Sequence, residues 1–531
     1  MELKKAIKIA LNNVHTEGLT DIFPRPFEVD LLNKSAFKNV LYENVKASIE
    51  EAIKKEVIEK ANGLNTLKIH PISHVLYPKK EAFDFRKCAL IEPIDTIKYL
   101  SITLLISDVI EENRIKKTEN RIFSYRFDVK EEGKSLFDPN YNFKTFNEFV
   151  NSKIKDEKVN VLVKSDISNF YDRLNLHRLE SVLLSLPKLN KNVAKLINEL
   201  LLFWANRDSY GLPVGSNPSR ILAEAALIDI DRYLLSHKVD FCRFVDDYRF
   251  FAPDSKTAHY WLSLLVERLS IEGLYINQGK TSLEDVSDIQ SEESKQNTKT
   301  VYDDSDDEFS YNYSGTVPTK FTIPSEKEIE KIKIKSEKEI IDSIENAKII
   351  SPKIFKEYCN LIVYKELYPK FKDLPKHLTR FPQFNPYVVD LLIKNADKIP
   401  TNIKNSLRKD FSNLLEETHY LPEYISIAAV NLLSTDGFEN SEVLFSYFRE
   451  LRRNAGAYIG RATLEALEKI ISRGQVLEIR QYYGRADFWE KRQIVKIVDR
   501  KLHLEEKNAW FKNIKMNDSN DQFLMGTIQK K

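Results

Sequence analysis

The sequence predicts an α+β chain in which a mixed strand-and-helix region is followed by an all-α region of HEAT-like helical repeats. Three observations carry this expectation. Short β-branched runs such as Val159–Val163 and Phe241–Phe251 alternate with helical stretches between residues 65 and 286. From Ser287 to Tyr313 the composition turns to Asp, Glu, Ser and Asn. Beyond Ser325 strand signals end, and amphipathic helix pairs recur about every 35–40 residues, the spacing of helical solenoids.

Residues 1–64 read as an N-terminal helical extension, with helices over Leu3–Val14 and Phe37–Ala61. The opening MELKKAIKIALNN has no apolar core of the kind a signal peptide needs. The longest apolar stretch, Tyr99–Ile110, is broken by Ser101, Ser107 and Asp108, so it reads as a core segment and no membrane partner is expected. Residues 287–325 form an expected mobile acidic linker. Its run Asp303, Asp304, Asp306, Asp307 and Glu308 lacks the ligand spacing and turn glycine of a calcium loop. The helical region then covers residues 326–531. A charged helix is expected over Glu326–Ala347, followed by Val388–Asp397, Ile403–Glu416, Tyr424–Leu433, Ser441–Leu451, Gly460–Ser472 and Trp489–Leu502.

Composition narrows the functional classes. Lys+Arg (81) and Asp+Glu (79) nearly cancel, which excludes a polycation that coats nucleic acid by bulk charge; any such contact needs local patches. Cys88, Cys242 and Cys359 are too far apart for a disulfide scaffold or a CxxC zinc site, and fit a reducing cytoplasm. His70 and His74 are spaced like zinc ligands, but Pro71 intervenes and no HExxH glutamate is present. A P-loop reading of Gln278-Gly-Lys-Thr281 fails, because Leu274 stands where the first glycine is required.

Four segments hold the chemistry. An apolar strand ends in Asp166 within Val161–Tyr171 (VLVKSDISNFY), and Gly211–Glu224 (GLPVGSNPSRILAE) is a glycine- and proline-rich loop running into a helix. Cys242–Phe251 (CRFVDDYRFF) reads as a hairpin whose tip carries Asp246 and Asp247, and Gly273–Thr281 (GLYINQGKT) follows. Carboxylates at the ends of apolar strands are costly to bury unless a cation compensates. If the two strands are neighbours, Asp166 and Asp246 share a pair of divalent ions suited to phosphoryl transfer.

In this order and spacing, the segments resemble motifs A, B, C and D of reverse transcriptases, over about residues 65–285. The resemblance implies right-hand polymerase fingers and palm over residues 65–286, using Mg2+ or Mn2+ and dNTPs. It makes Asp166, Asp246 and Asp247 the acidic site, with the carbonyl of Ile167 as a further metal ligand. Tyr171 falls at the steric gate against a ribose 2′-hydroxyl, and Gly215 lets backbone approach the nucleotide. Lys79 or Lys80, with Arg86, would hold the triphosphate, and Lys280 would protonate the departing pyrophosphate. Two departures stand out: Val214 replaces the usual motif B glutamine, and Phe244 replaces the motif C tyrosine.

The SRILAE extension of motif B, FVDD and the helical half in place of a thumb are similar to abortive-infection (Abi) and defence-associated unknown-group reverse transcriptases. That resemblance implies antiphage defence and a homo-oligomer. It leaves open RNA-directed synthesis, or template-independent synthesis of single-stranded DNA attached covalently to a protein hydroxyl, with Tyr42 the candidate primer. Arg452, Arg453, Arg461, Arg480, Arg485 and Arg492 would line a groove for nascent DNA or serve a subunit interface. Two alternatives stand beside this reading: a retron-like or cellular enzyme copying a dedicated noncoding RNA, and a non-catalytic scaffold binding a phage or host protein.

Overall fold

The computed structural model describes residues 1–20, 22–55, 63–79, 84–130, 133–206, 208–290, 319–334, 336–347, 350–416, 421–451 and 458–528. Most of the acidic linker, residues 291–318, lies outside them, as do Lys80, Arg452 and Arg453. The fold is α+β. Strands are β1 (Ser73–Pro78), β2 (Phe85–Leu90), β3 (Phe127–Lys130), β4 (Ser135–Phe137), β5 (Val161–Asp166), β6 (Phe241–Phe244), β7 (Asp247–Ala252) and β8 (Ser282–Asp285). Among the described residues no helix is long and apolar enough to cross a membrane.

The chain forms two compact units, Met1–Ile72 with Leu90–Glu308, and Ser73–Ala89 with Phe309–Lys531. The first is organised by a four-stranded antiparallel sheet of order β6-β7-β5-β8. β5 is buried almost throughout because both sheet faces are covered, which is why its sequence reads as a nearly continuous apolar run. On one face Leu162, Cys242 and Phe251 pack with Phe146 and Val150 of the Phe143–Lys153 helix. The Ser255–Ile271 helix also packs on β5 and β7. The apolar Tyr99–Ile110 run lies within a buried helix, Pro93–Asn113, started by Pro93 and capped by Glu92, whose carboxylate accepts the N–H groups of Ile94 and Asp95. Of the helix expected over Phe37–Ala61, Ser35–Lys54 is observed, and residues 56–61 lie outside the described residues.

In the second unit, helices Asn385–Lys394, Glu423–Leu432, Tyr458–Ile470, Phe488–Lys501 and Gln522–Ile528 each pack on the next, at intervals of roughly 30 to 40 residues. Thr401–Glu416, Ser441–Leu451 and Arg473–Tyr482 alternate with them, which is the layering of a helical repeat. Two sequence expectations need correction. The single helix over Glu326–Ala347 is two, Glu326–Ile334 and Glu337–Asn346, because Ser336 is extended and starts the second. Helices at Pro352–Tyr364, Arg473–Tyr482, Leu504–Asn517 and Gln522–Ile528 were not read from the sequence. Arg473–Tyr482 buries only Val476, Ile479 and Tyr482, so its apolar period is faint, although its Ser472/Gln475 capping box was visible. The β1–β2 hairpin belongs to this unit; β1 packs on the Glu423–Leu432 helix, with the Tyr77 and Tyr424 rings 6.0 Å apart.

Candidate active site

Register puts the first two acidic segments together. β5 and β7 pair with Asp166 directly opposite Asp247, and the β6–β7 turn, Val245-Asp246, sits beside the end of β5. The Asp246 carbonyl accepts the Ile167 N–H at 3.1 Å, which joins the turn to the residue after Asp166. Beyond Ile167 the chain turns through Asn169 in the left-handed conformation that asparagine tolerates. The Gly273–Thr281 segment closes the far side. Its Asn277 N–H donates to the Asp166 carbonyl (2.7 Å), and the Ser168 N–H donates to the Tyr275 carbonyl (2.8 Å).

Electrostatics follow from this crowding. The Lys280 ammonium lies 3.2 Å from Asp166 Oδ2, which also accepts from the Asn277 amide at 3.2 Å. Partial burial works against the lysine charge, but Asp166, then Asp246 and Asp247, outweigh it and raise its pKa. Burial lifts Asp247 above the usual carboxylate range; Arg249 opposes the shift and Asp166 adds to it. Carboxylates are the oxygen donors a hard dication such as magnesium takes, and Asp166, Asp246 and Asp247 supply them at one end of the sheet. Among the described residues, the three potential ligand side chains whose donor atoms already lie within 4.8 Å of one another are His70, Glu92 and Asp95.

Tyr171 is half-buried on the short Phe170–Arg173 helix, close enough to Asp246 and Arg220 to feel both charges. Desolvation first, then the Tyr125 phenol, hold its hydroxyl well above the normal ionisation range. The loop preceding the Asn217–Ala226 helix is tied to the same turn, the Leu212 N–H donating to the Tyr171 carbonyl and the Gly211 N–H to that of Leu174. Gly215 adopts φ +106°, which glycine alone takes without strain, and Val214 beside it is buried.

The remaining sequence candidates are carried by other elements. Lys79 pairs with Asp84 at 3.3 Å on the β1–β2 hairpin, which also carries Arg86; both residues belong to the second unit, whereas the aspartates belong to the first. Tyr42 is half-buried on the Ser35–Lys54 helix of the first unit. The arginine groove is corrected in part. Arg461 and Arg492 are 2% exposed and engaged by Glu465 and Asp521, under the Trp489 ring, so they support the helical core rather than face solvent. Arg480 is half-buried and Arg485 is exposed.

Sequence reasoning missed a buried ionic network behind the turn. Arg243 is fully enclosed; it holds Asp231 through Nε (3.0 Å) and Nη2 (2.6 Å), and Glu224 through Nη2 (2.9 Å). Glu224 also accepts from Arg114 Nη2 at 2.6 Å and from the Ser124 hydroxyl at 2.5 Å, while the Tyr248 hydroxyl donates to Asp231 at 3.1 Å. Burial alone would raise Glu224, but Arg243 and Arg114 hold it below its ordinary range; at Asp231 burial prevails over Arg243 and raises it. Arg243 and Glu224 were each visible as a charge inside an apolar run, a sign of a buried partner.

Residues 98–310 match the family model of the reverse transcriptase (RNA-dependent DNA polymerase). No curated protein matches the chain. Among solved structures it is similar to telomerase from Candida albicans in complex with a fragment of telomeric RNA. That match has 14% identity and a TM-score of 0.28, and covers 68% of this chain and 66% of that one, just under two thirds of its length. It is also similar to apo telomerase from Candida tropicalis, with 10% identity and a TM-score of 0.28, covering 86% of this chain and 88% of that one.

Removing one member of the network should be far costlier than its hydrogen bonds alone imply. Arg243→Ala leaves Glu224 and Asp231 buried without their shared cation. Urea denaturation should show a loss of about 3–5 kcal/mol in unfolding free energy, and a loss below about 1 kcal/mol would contradict the network's role.

Proposed function

We propose that the reverse-transcriptase domain at residues 98–310 joins deoxynucleotides by phosphoryl transfer at Asp166, Asp246 and Asp247. The observation that carries this reading is the pairing of Asp166 with Asp247 across two central strands, with Asp246 in the adjoining turn and Lys280 against the cluster. Reverse transcriptases generally use divalent ions such as Mg2+. Asp166, Asp246 and the Ile167 carbonyl would hold them, with Asp247 supporting the site. Bound there, such ions favour deprotonation of the attacking hydroxyl and neutralise charge on the departing pyrophosphate.

The chain's own residues have distinct parts. Lys280, kept protonated by three carboxylates, gives its proton to the leaving pyrophosphate as the α-phosphorus bond breaks. By the resemblance to reverse transcriptases, Tyr171 would collide with a ribose 2′-hydroxyl, and Gly215, at φ +106°, would give the nucleotide room beside the main chain. Similarity of the motif B extension and the helical-repeat half to abortive-infection enzymes supports antiphage defence by an oligomer making single-stranded DNA on a protein hydroxyl, with Tyr42 the candidate primer. A second reading, synthesis on an RNA template, is favoured by the matching family's description as RNA-dependent.

Purified protein incubated with Mg2+ and labelled dNTPs, with no template or primer, separates these readings. Label retained at the top of a gel until protease treatment, and absent with Asp246→Ala/Asp247→Ala or EDTA, would support protein-primed synthesis; its loss in Tyr42→Phe would identify the primer. Product only on added RNA would support templated synthesis, and none under either condition would overturn nucleotidyl transfer. Lys280→Ala should lower kcat about 10²-fold with little change in KM for dNTP, the usual scale of a positioned general acid. Tyr171→Val should reduce the preference for dNTP over rNTP in kcat/KM at least about tenfold, and an unchanged ratio would remove Tyr171 from that role.

A further inference from the structure

The turn between β6 and β7 is two residues long, and its first residue, Val245, has φ +54°. Such hairpins need a left-handed residue, normally Gly, Asn or Asp. A β-branched side chain is among the least suited to that backbone, which persists only where the surroundings over-determine it.

Here both ends of the residue are held by buried side chains. The Val245 N–H donates to Ser124 Oγ at 2.9 Å, and the Val245 carbonyl accepts from Arg243 Nη1 at 2.7 Å. Each holder is itself fixed. The Ser124 hydroxyl gives its single proton to Glu224 Oε1, so toward Val245 it can only accept. Arg243 is oriented by two bonds to Asp231 and one to Glu224. One carboxylate thus sets both the acceptor and the donor that grip a single residue. Asp246 follows directly, and its carbonyl holds the Ile167 N–H next to Asp166.

We propose that Ser124 and Arg243, set by Glu224, are positioning residues that clamp Val245 in the left-handed conformation and so fix Asp246 against Asp166. The clamp's effect on turnover rests on the activity proposed above; the clamp itself concerns the backbone.

Ser124→Ala and Val245→Gly, made singly and together in the full chain, test it. Without the hydroxyl, valine leaves the left-handed region, whereas glycine occupies it freely. Ser124→Ala should lower kcat about tenfold with KM for dNTP within about twofold, and should cost less than about threefold in the Val245→Gly background. An equal loss in both backgrounds would overturn the clamp. Hydrogen exchange of peptides covering residues 244–248 reads the turn without turnover. Exchange about tenfold faster in Ser124→Ala is expected, and unchanged exchange would overturn the clamp. Should Ser124→Ala fail to fold alone, Val245→Gly must restore folding, or the proposal falls. If the parent chain incorporates no nucleotide while exchange responds as stated, the activity reading fails and the clamp stands.

Discussion

In the interior of the first unit one guanidinium meets two carboxylates with none of its surface in water: Arg243 lies between Glu224 and Asp231. Around it Arg114 and Arg126 face Glu111 and Glu224, so three cations are set against three anions. The balance matters because a buried charge lacking its counterpart costs several kcal/mol. These residues come from the Pro93–Asn113 helix and the segment after it, two helices that follow the Gly211–Ser216 loop, and β6. The bonds therefore join the elements that surround the sheet. Along β6 and β7, alternation places Arg243 and Tyr248 on one face and Phe244 and Asp247 on the other. Structural charge is thereby kept apart from the acidic cluster.

The acidic cluster itself was legible in the sequence. Asp166 and the Asp246–Asp247 pair interrupt apolar strand runs, and a carboxylate in such a place has few inexpensive explanations. Lys280 was also found, and the structure sets it against Asp166. Ser124 and Arg114 were not, because their partners are distant in sequence: Arg114 meets Glu224 across 110 residues and Ser124 meets Val245 across 121. No local period encodes such pairs. Only the apolar flanks of Arg243 and Glu224 hint that a partner must exist.

The helical half was legible to the extent that its helices have one oily stripe. Helices expected over Ile403–Glu416 and Ser441–Leu451 are observed at Thr401–Glu416 and Ser441–Leu451, since each buries a regular row such as Leu444, Phe445, Tyr447 and Phe448. Arginine misled the sequence reading here. Arg461 and Arg492 sit over the Trp489 ring, 5.6 and 5.9 Å from its centroid, while pairing with carboxylates, and so serve as core residues with charged ends. A surface reading of arginine fails wherever an aromatic ring and an acid meet it together, one from its own helix and one from a later segment.

Membership of the β1–β2 hairpin in the second unit has a consequence in time. The ribosome makes Ser73–Ala89 early, yet its packing partner Glu423–Leu432 is separated from it by the later part of the first unit, Leu90–Glu308, and by more than a hundred residues of the second. At about 5–20 residues per second, the wait is on the order of half a minute. Throughout it, Val75, Tyr77 and Cys88, all buried in the finished protein, lack their final cover. The first unit can meanwhile close around its own sheet, leaving the hairpin as a loop that awaits its partner. Synthesis order thus makes the hairpin the last-completed part of an early segment, and a chain cut before Glu423 would never complete it.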